Sequence, residues 1–299
     1  MGVTTPTAGF GGRTWLRRWG WASLVANVLI VLTGGAVRLT ASGLGCPTWP
    51  RCTDGSFTPH GALDFHSAIE FGNRTLTFAL TAVAVATMVS AWRSGRRDLR
   101  LLALFLVLGI PAQAVIGGIT VLTDLNPWVV SFHLLVSMAI ISLAVLFLRR
   151  VDHPAPRRAP GPRGLTALAW TTYAAAWVVL YLGTVVTGSG PHAGDLKAPR
   201  NGLDPLQLSQ LHADVVFLFV GLTVGLLLAL HATNAPAAQK RAALTLLVVE
   251  LAQGLVGFVQ YFTDLPVALV AIHLLGAALV SATVTWVVIE VREGEATHA

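Results

Sequence analysis

Eight stretches of the chain are almost wholly apolar for about 20 residues each, and the polar residues gather between them. They cover roughly 19–39, 67–91, 101–122, 128–148, 165–187, 207–230, 242–262 and 266–290. An α-helix rises about 1.5 Å per residue, so each stretch can cross about 30 Å of hydrocarbon. The pattern predicts an all-α integral membrane protein with eight transmembrane helices. The first run is too long for the apolar segment of a signal peptide and reads as the first span. The opening "MGVTTP" has Pro6 where a myristoylation signal needs Ser or Thr, so no lipid anchor is expected.

Composition supports this reading. Hydrophobic residues make up 54% of the 299 and charged residues only 11%, against about 25% charged in soluble domains. Mean hydropathy is +0.68 and the isoelectric point is near 10.1. A basic chain can point to nucleic acid, but here the basic residues sit in short clusters between apolar runs, so no nucleic-acid partner is expected. They crowd the N-terminus (Arg13, Arg17, Arg18), the second loop (Arg93, Arg96, Arg97, Arg100), the fourth loop (Arg149, Arg150, Arg157, Arg158, Arg163), the sixth (Lys240, Arg241) and the C-terminus (Arg292). The alternate loops carry only Arg38, Arg51, Lys197 and Arg200. By the positive-inside rule both termini are cytoplasmic, in a multi-pass protein of the cell membrane. Arginine far outnumbers lysine (only Lys197 and Lys240), and Ala, Gly and Val are abundant, which suggests a GC-rich bacterial genome.

The spans divide into two halves that resemble each other. "AQAVIGGITVLTDLNPWVVSFHLL" (112–135) aligns without gaps to "AQGLVGFVQYFTDLPVALVAIHLL" (252–275). One offset pairs Gln113 with Gln253, Gly117 with Gly257, Thr123-Asp124-Leu125 with Thr263-Asp264-Leu265, and His133 with His273. More loosely, "RLTASG" (38–43) echoes "VVTGSG" (185–190). The expected organisation is an N-terminal four-helix half (1–150), a Pro/Arg-rich cytoplasmic linker (151–164) and a C-terminal four-helix half (165–299). An even number of spans per half makes the two bundles pseudo-symmetric about an axis along the membrane normal.

Candidate chemistry lies inside the spans. His133, His212 and His273 each fall one to two turns from the outer end of a span, so all three are expected at one depth. Imidazole suits iron, and two histidines on facing helices can clamp a porphyrin iron from both sides. His212 and His273 form such a pair in the second half. The matching places in the first half hold His133 and Asn73. A lone intramembrane histidine can equally be a hydrogen-bonding bridge between helices; three at one depth, duplicated, favour ligation. His153, His231 and His298 fall in loops or the tail, and His60 in the first outer loop; none receives a role.

The second span opens with "HSAIEFGNRTL" (66–76), which places His66, Glu70, Asn73 and Arg74 on one broad helix face. Charges at bilayer depth are costly and usually mark a site. Glu70 and Arg74 can simply neutralise each other as an i,i+4 pair. Alternatively, Glu70 stands beside a reactive centre, as a proton acceptor or a stabiliser of developing positive charge. The only cysteines, Cys46 and Cys52 in "GLGCPTWPRC", lie in the long first outer loop. They read either as a staple ordering a lid that also carries Pro47, Trp49, Pro50 and Phe57, or as a redox-active pair meeting an external thiol–disulfide donor. Gly34-Gly35 and Gly117-Gly118 permit close approach of a helix or a flat ligand.

The run "GGAVRLTASGLGCPTWPRC", then "IEFGNRTL", then one histidine in each of spans four, six and eight, resembles the haem A synthase family over about residues 19–290. The resemblance implies an oxidoreductase that converts the ring methyl of haem O to the formyl group of haem A for cytochrome oxidase. It implies a haem b cofactor between His212 and His273. Substrate haem O, delivered by a haem O synthase, reacts in the first half with its iron on His133, near catalytic Glu70 and Arg74. A Cys46–Cys52 disulfide is also implied. The electron acceptor is open, a quinone being one candidate.

The sequence departs from the family at one position. The usual Glu-x-x-His-Arg reads here Glu70-Phe71-Gly72-Asn73-Arg74, so the substrate iron is expected to have His133 on one face and an open or water-bound position on the other. His66, a turn further out, is the alternative second ligand. Two other classes suit parts of the pattern. A membrane b-type haem electron-transfer protein would want bis-His sites in both halves. A transporter would want broken helices, which the spans lack.

Overall fold

The computed structural model describes residues 12–59, 65–153 and 162–293. His60, His298 and residues 154–161 of the linker lie outside them. The described residues form eight α-helices: α1 Arg13–Leu39, α2 Phe65–Arg93, α3 Arg97–Leu122, α4 Pro127–Asp152, α5 Arg163–Ser189, α6 Pro205–Ala232, α7 Ala237–Phe262 and α8 Val267–Glu293. All eight are long and apolar enough to cross a membrane, and the chain is an integral membrane protein. Each helix contains its expected apolar run to within a residue at either end, with a turn or so of polar residues added in most cases.

The helices begin and end where local chemistry dictates. Pro127 and Pro205 each occupy a first-turn position, where a missing N–H costs nothing. Asn126 and Asp204 cap the same two helices, their side-chain oxygens accepting from the Trp128 N–H at 3.0 Å and the Leu206 N–H at 2.8 Å. The duplicated Thr-Asp-Leu turns fold alike. Asp124 and Leu125 have φ of 52° and 60°, and Asp264 and Leu265 have φ of 58° and 56°. In both turns the leucine N–H closes on the carbonyl five residues back, Thr120 at 2.7 Å and Gln260 at 2.8 Å. An apolar side chain rarely takes this left-handed conformation, so its recurrence at one offset marks a repeated structure as well as a repeated sequence.

In each half the four helices form a closed ring: α1–α2–α3–α4 and α5–α6–α7–α8. The halves meet through α4 with α8, α1 with α8, and α4 with α5. Exchanging α1 for α5 and α4 for α8 leaves that contact set unchanged, as a pseudo-twofold axis between α4 and α8 requires. Small residues allow the close approach: a Cβ on Gly35 of α1 would lie 2.2 Å from Leu274 Cδ2 of α8. Deeper in the seam, Ser142 and Ser281 hydroxyls meet at 3.0 Å, and Thr285 donates to Ser142 at 2.9 Å. Arg149 pairs with Glu290 across the halves near the end that carries the termini. The opposite end carries the cysteine loop between α1 and α2 and the loop between α5 and α6.

Candidate functional site

The three intramembrane histidines share one local design. On each, the imidazole lies over a glycine of the preceding helix. A Cβ on Gly117 of α3 would stand 3.2 Å from His133 Cε1; on Gly183 of α5, 3.2 Å from His212 Cε1; and on Gly257 of α7, 3.5 Å from His273 Cε1. A Cβ on Gly117 or Gly183 would crowd the ring, whereas one on Gly257 would stand at ordinary contact distance, so it is in the first two places that hydrogen most clearly lets an imidazole lie against the helix. Gly117 and Gly257 correspond in the repeat, and Gly183 supplies the same bed in the first hairpin of the second half.

In all three the Nδ1 edge is sealed and has no hydrogen bond among the described residues. The Val179 carbonyl, one turn before Gly183, approaches the His212 ring, yet Nδ1 itself remains unsatisfied. A buried polar atom left without a partner costs about 1–3 kcal/mol. Each residue as a whole is only half-buried, so the ring retains an open edge. His212 and His273 lie within electrostatic reach of one another. Glutamines flank two of the rings: Gln113 donates to the His133 carbonyl at 3.1 Å, and Gln253 packs against Gly276, one turn after His273. Half-open imidazoles on glycine beds, two of them within electrostatic reach of each other, fit the ligation of an iron macrocycle. No cluster of three or more His, Cys, Asp or Glu that could hold a bare metal ion occurs among the described residues.

The fourth place in this pattern is filled differently. Asn73 of α2 corresponds to His212, and its Oδ1 accepts a hydrogen bond from Thr33 Oγ1 of α1 at 2.8 Å. The amide is thereby tied to a neighbouring helix. His66, the alternative ligand, has its Nδ1 3.0 Å from Ser42 Oγ, which places it against the loop after α1.

Glu70 and Arg74 are brought together with the cysteine loop. Glu70 is 4% exposed. Its Oε1 receives Arg74 Nη2 at 2.6 Å and Nε at 3.1 Å, and its Oε2 receives the Cys46 N–H at 2.7 Å. Arg74 also donates to the carbonyls of Cys46 (3.0 Å), Thr48 (3.2 Å) and Arg51 (3.3 Å). Cys46 and Cys52 are disulfide-bonded and almost fully buried. The loop is therefore closed covalently and gripped from below by one guanidinium. It lies tightly on α2, since a Cβ on Gly45 would strike the backbone of His66 at 2.6 Å. Trp49 reaches across to α3, where a Cβ on Gly118 would fall 2.3 Å from its indole ring. Gly118 adjoins Gly117, the glycine under His133, so Trp49 is seated one residue along α3 from the bed of the first-half histidine.

Several residues in or near the site have no counterpart in the sequence reading. Arg38 donates to the carbonyls of His192 (2.6 Å) and Thr187 (3.0 Å), bridging the end of α1 to the other half. His192 itself bonds to the Leu265 carbonyl at 2.9 Å. Glu250 of α7 is 3% exposed; Oε1 accepts from Thr223 at 2.7 Å, and Oε2 has no hydrogen-bond partner among the described residues. Its repeat counterpart is Ile110, so a search for matched pairs passes over it. Arg38 stands in the "RLT" motif, which was the available signal.

Known proteins resemble this chain along most of its length. A heme A synthase from Lysinibacillus sphaericus is 31% identical over 173 residues, 55% of this chain and 55% of that protein. One from Halalkalibacterium halodurans is 25% identical over 177 residues, 57% and 59%. In these two the chain spans little more than half the relative's length. A heme A synthase from Bacillus cereus is 25% identical over 289 residues, 90% of this chain and 91% of the relative. The profile of the COX15-CtaA family, described as cytochrome oxidase assembly protein, matches residues 17–194. That match runs from α1 into the loop after α5, through the cysteine loop, Glu70 and His133, and on its strength the protein belongs to the COX15-CtaA family of cytochrome oxidase assembly proteins.

Proposed function

We propose that this protein acts as its named relatives do, as a haem A synthase that oxidises the ring methyl of haem O to the formyl group of haem A. The observation that carries the proposal is the unequal filling of a repeated site. Three of four equivalent places hold a half-open imidazole, and the fourth holds Asn73 tied to Thr33. One half thus keeps two facing histidines, and the other keeps one histidine beside a fixed carboxylate.

In this reading His212 and His273 would hold haem b, with Gly183 and Gly257 leaving room for the imidazole rings. When bound, haem b supplies reversible one-electron transfer toward a membrane acceptor of the quinone class. His133 takes the iron of substrate haem O, and Gly117 seats that imidazole. Asn73 cannot ligate well, so one face of the substrate iron stays open or water-bound. At the reacting methyl two water-derived oxygens enter in turn, each step releasing two protons and passing two electrons to the quinone-class acceptor, so that the methyl becomes an alcohol and then a hydrated aldehyde, which loses water.

Glu70 is the catalytic carboxylate. Arg74 and the Cys46 N–H fix both its oxygens before substrate arrives, so charge developing near it meets an oriented dipole without reorganisation. That arrangement favours stabilising a developing cation over accepting a proton, because lone pairs on both oxygens are already engaged. Arg74 is a positioning residue, and the disulfide loop with Trp49 shields the site from water. The Asn73 place disfavours an electron carrier alone, which would use two histidines in each half. Topology completes the proposal: both termini cytoplasmic and the cysteine loop outside, in the cell membrane, where an external thiol–disulfide partner could reach the loop and a haem O synthase could deliver substrate.

The test is haem extraction from membranes of a host that makes haem O but no haem A. Expression of this chain should produce haem A. Replacing Glu70 with Gln should lower production about 100-fold or more, the usual worth of a positioned catalytic carboxylate. Haem A formed at the wild-type rate by that variant would remove Glu70 from the chemistry; no haem A from the wild-type chain would remove the function.

A further inference from the structure

The seam between the halves holds two guanidinium groups with no carboxylate partner. Arg38, near the end of α1, donates to the carbonyls of His192 and Thr187. Arg200, in the loop between α5 and α6, donates to the carbonyls of Pro191 at 2.9 Å and Ala198 at 2.7 Å. Pro191 and His192 are consecutive, so the two cations are drawn onto adjacent peptide units of one loop. Neither takes part in an ion pair among the described residues; those formed involve Arg13, Arg17, Arg74, Arg96 and Arg149. The acids of the same loop are turned elsewhere. Asp195 accepts the Lys197 N–H at 2.8 Å, and Asp204 caps α6. Two like charges held together by carbonyls alone repel one another, and an anion between them would relieve the repulsion.

The level of this pair is fixed by two independent contacts. On α1, Gly35 packs against Leu274, the residue after His273, so Arg38 stands about 4.5 Å, three residues, further toward the loop end. On α5, Gly183 beds His212, and Thr187, which accepts from Arg38, stands one turn further in the same direction. Both routes place Arg38 about one turn beyond the plane of the second-half imidazoles. A haem held at its iron by His212 and His273 would carry its two acidic side chains beyond one edge of the ring, toward the level of Arg38 when that edge faces the loop end. The loop above is pinned in place: Gly43 N–H donates to the Gly194 carbonyl at 2.8 Å, and Leu125, Ala193 and Ala198 pack together beneath it.

We propose that Arg38 and Arg200 form a carboxylate-binding site at the seam, which receives the two acidic side chains of the haem held by His212 and His273. The inference rests on the haem b assignment above. Arginine suits the task because its planar fork matches a carboxylate and its charge-assisted hydrogen bonds are the strong ones. Arg38 belongs to the first half and Arg200 to the second. A haem bound there would tie the halves together.

The test strips haem from the purified full-length protein and titrates back either haem b or its dimethyl ester, which lacks both carboxylates. The signal is the low-spin bis-histidine spectrum. Wild-type protein should bind haem b about 10-fold or more tightly than the ester, the scale of a charge-assisted hydrogen bond. Arg200→Gln should narrow that ratio several-fold while leaving ester affinity unchanged. Arg38→Lys, which keeps the charge but not the fork, should narrow it partway. Equal affinity for the two ligands in wild type, or an unchanged ratio in both variants, overturns the proposal. A wild-type protein that gives no bis-histidine spectrum with either ligand overturns the haem b assignment itself, and the carboxylate site with it.

Discussion

The two halves share a backbone plan but not a chemistry. In the second half the α6 place holds His212, with Ser209 and Ala213 at the positions that correspond to Glu70 and Arg74, and no covalently closed loop above it. In the first half the α2 place holds Asn73, the acid and the guanidinium appear beside it, and a disulfide loop is pinned over both. Losing a ligand and gaining a fixed carboxylate occur within one turn of the same helix. A repeated bundle can thus carry a holding site and a reacting site at once, with the difference written into a few side chains while the His-on-Gly geometry stays constant. Glu250 runs the other way: a buried carboxyl in the second half where the first has Ile110.

The largest expected effect comes from attacking the feature the halves share. Gly183→Val would place branched carbons where a Cβ alone already comes within 3.2 Å of His212. The imidazole should be displaced and the bis-histidine spectrum lost, whereas Gly221→Ala on α6, which has open space around it, should keep it. Next, Asn73→His makes the first half resemble the second. It should raise a second low-spin haem signal when haem O is supplied and lower haem A output at least 10-fold, read by optical spectra and haem extraction. An unchanged output would mean that the open iron face is irrelevant.

Smaller effects follow from the loop. Replacing Cys46 and Cys52 with Ser removes the closure of a short ring, which is worth about 2 kcal/mol, but leaves the Arg74 hydrogen bonds. Amide exchange in the loop should quicken 10-fold or more, while exchange at the α5–α6 loop stays constant. The smallest is Thr33→Val. Hydrogen bonds between membrane helices are worth about 0.6 kcal/mol on average, so thermal stability should fall only slightly. Asn73, once released, should make haem O binding less uniform, seen as broadened spectra.

Much of this was legible in the residues. The eight spans could be bounded closely because a membrane helix needs an unbroken apolar run, and few other structures do. The duplication was visible through matched unlike residues, Gln113 with Gln253 and Asp124 with Asp264. The matched spacing of His133 and His273 from those turns could be counted directly. What could not be read was which backbone a side chain would grip. That Arg74 could pair with Glu70 was one of two readings of the helix face, and the two lie 2.6 Å apart, but the hold of Arg74 on the carbonyls of Cys46, Thr48 and Arg51 depends on the path of a loop that has no periodicity. Arg38 and His192 clasp the seam only because the α5–α6 loop folds over the first half. Trp49 was legible as part of a lid, but Gly118 as its seat was not.

The central claim is that the second half holds a haem and the first works on one. The reduced optical spectra of purified His212→Ala and His133→Ala, each expressed with a haem O source, test it most directly. The account predicts that the bis-histidine signal disappears in His212→Ala and persists in His133→Ala, while His133→Ala makes no haem A. A bis-histidine signal that survives in His212→Ala, or one that vanishes in His133→Ala, would contradict the division of labour.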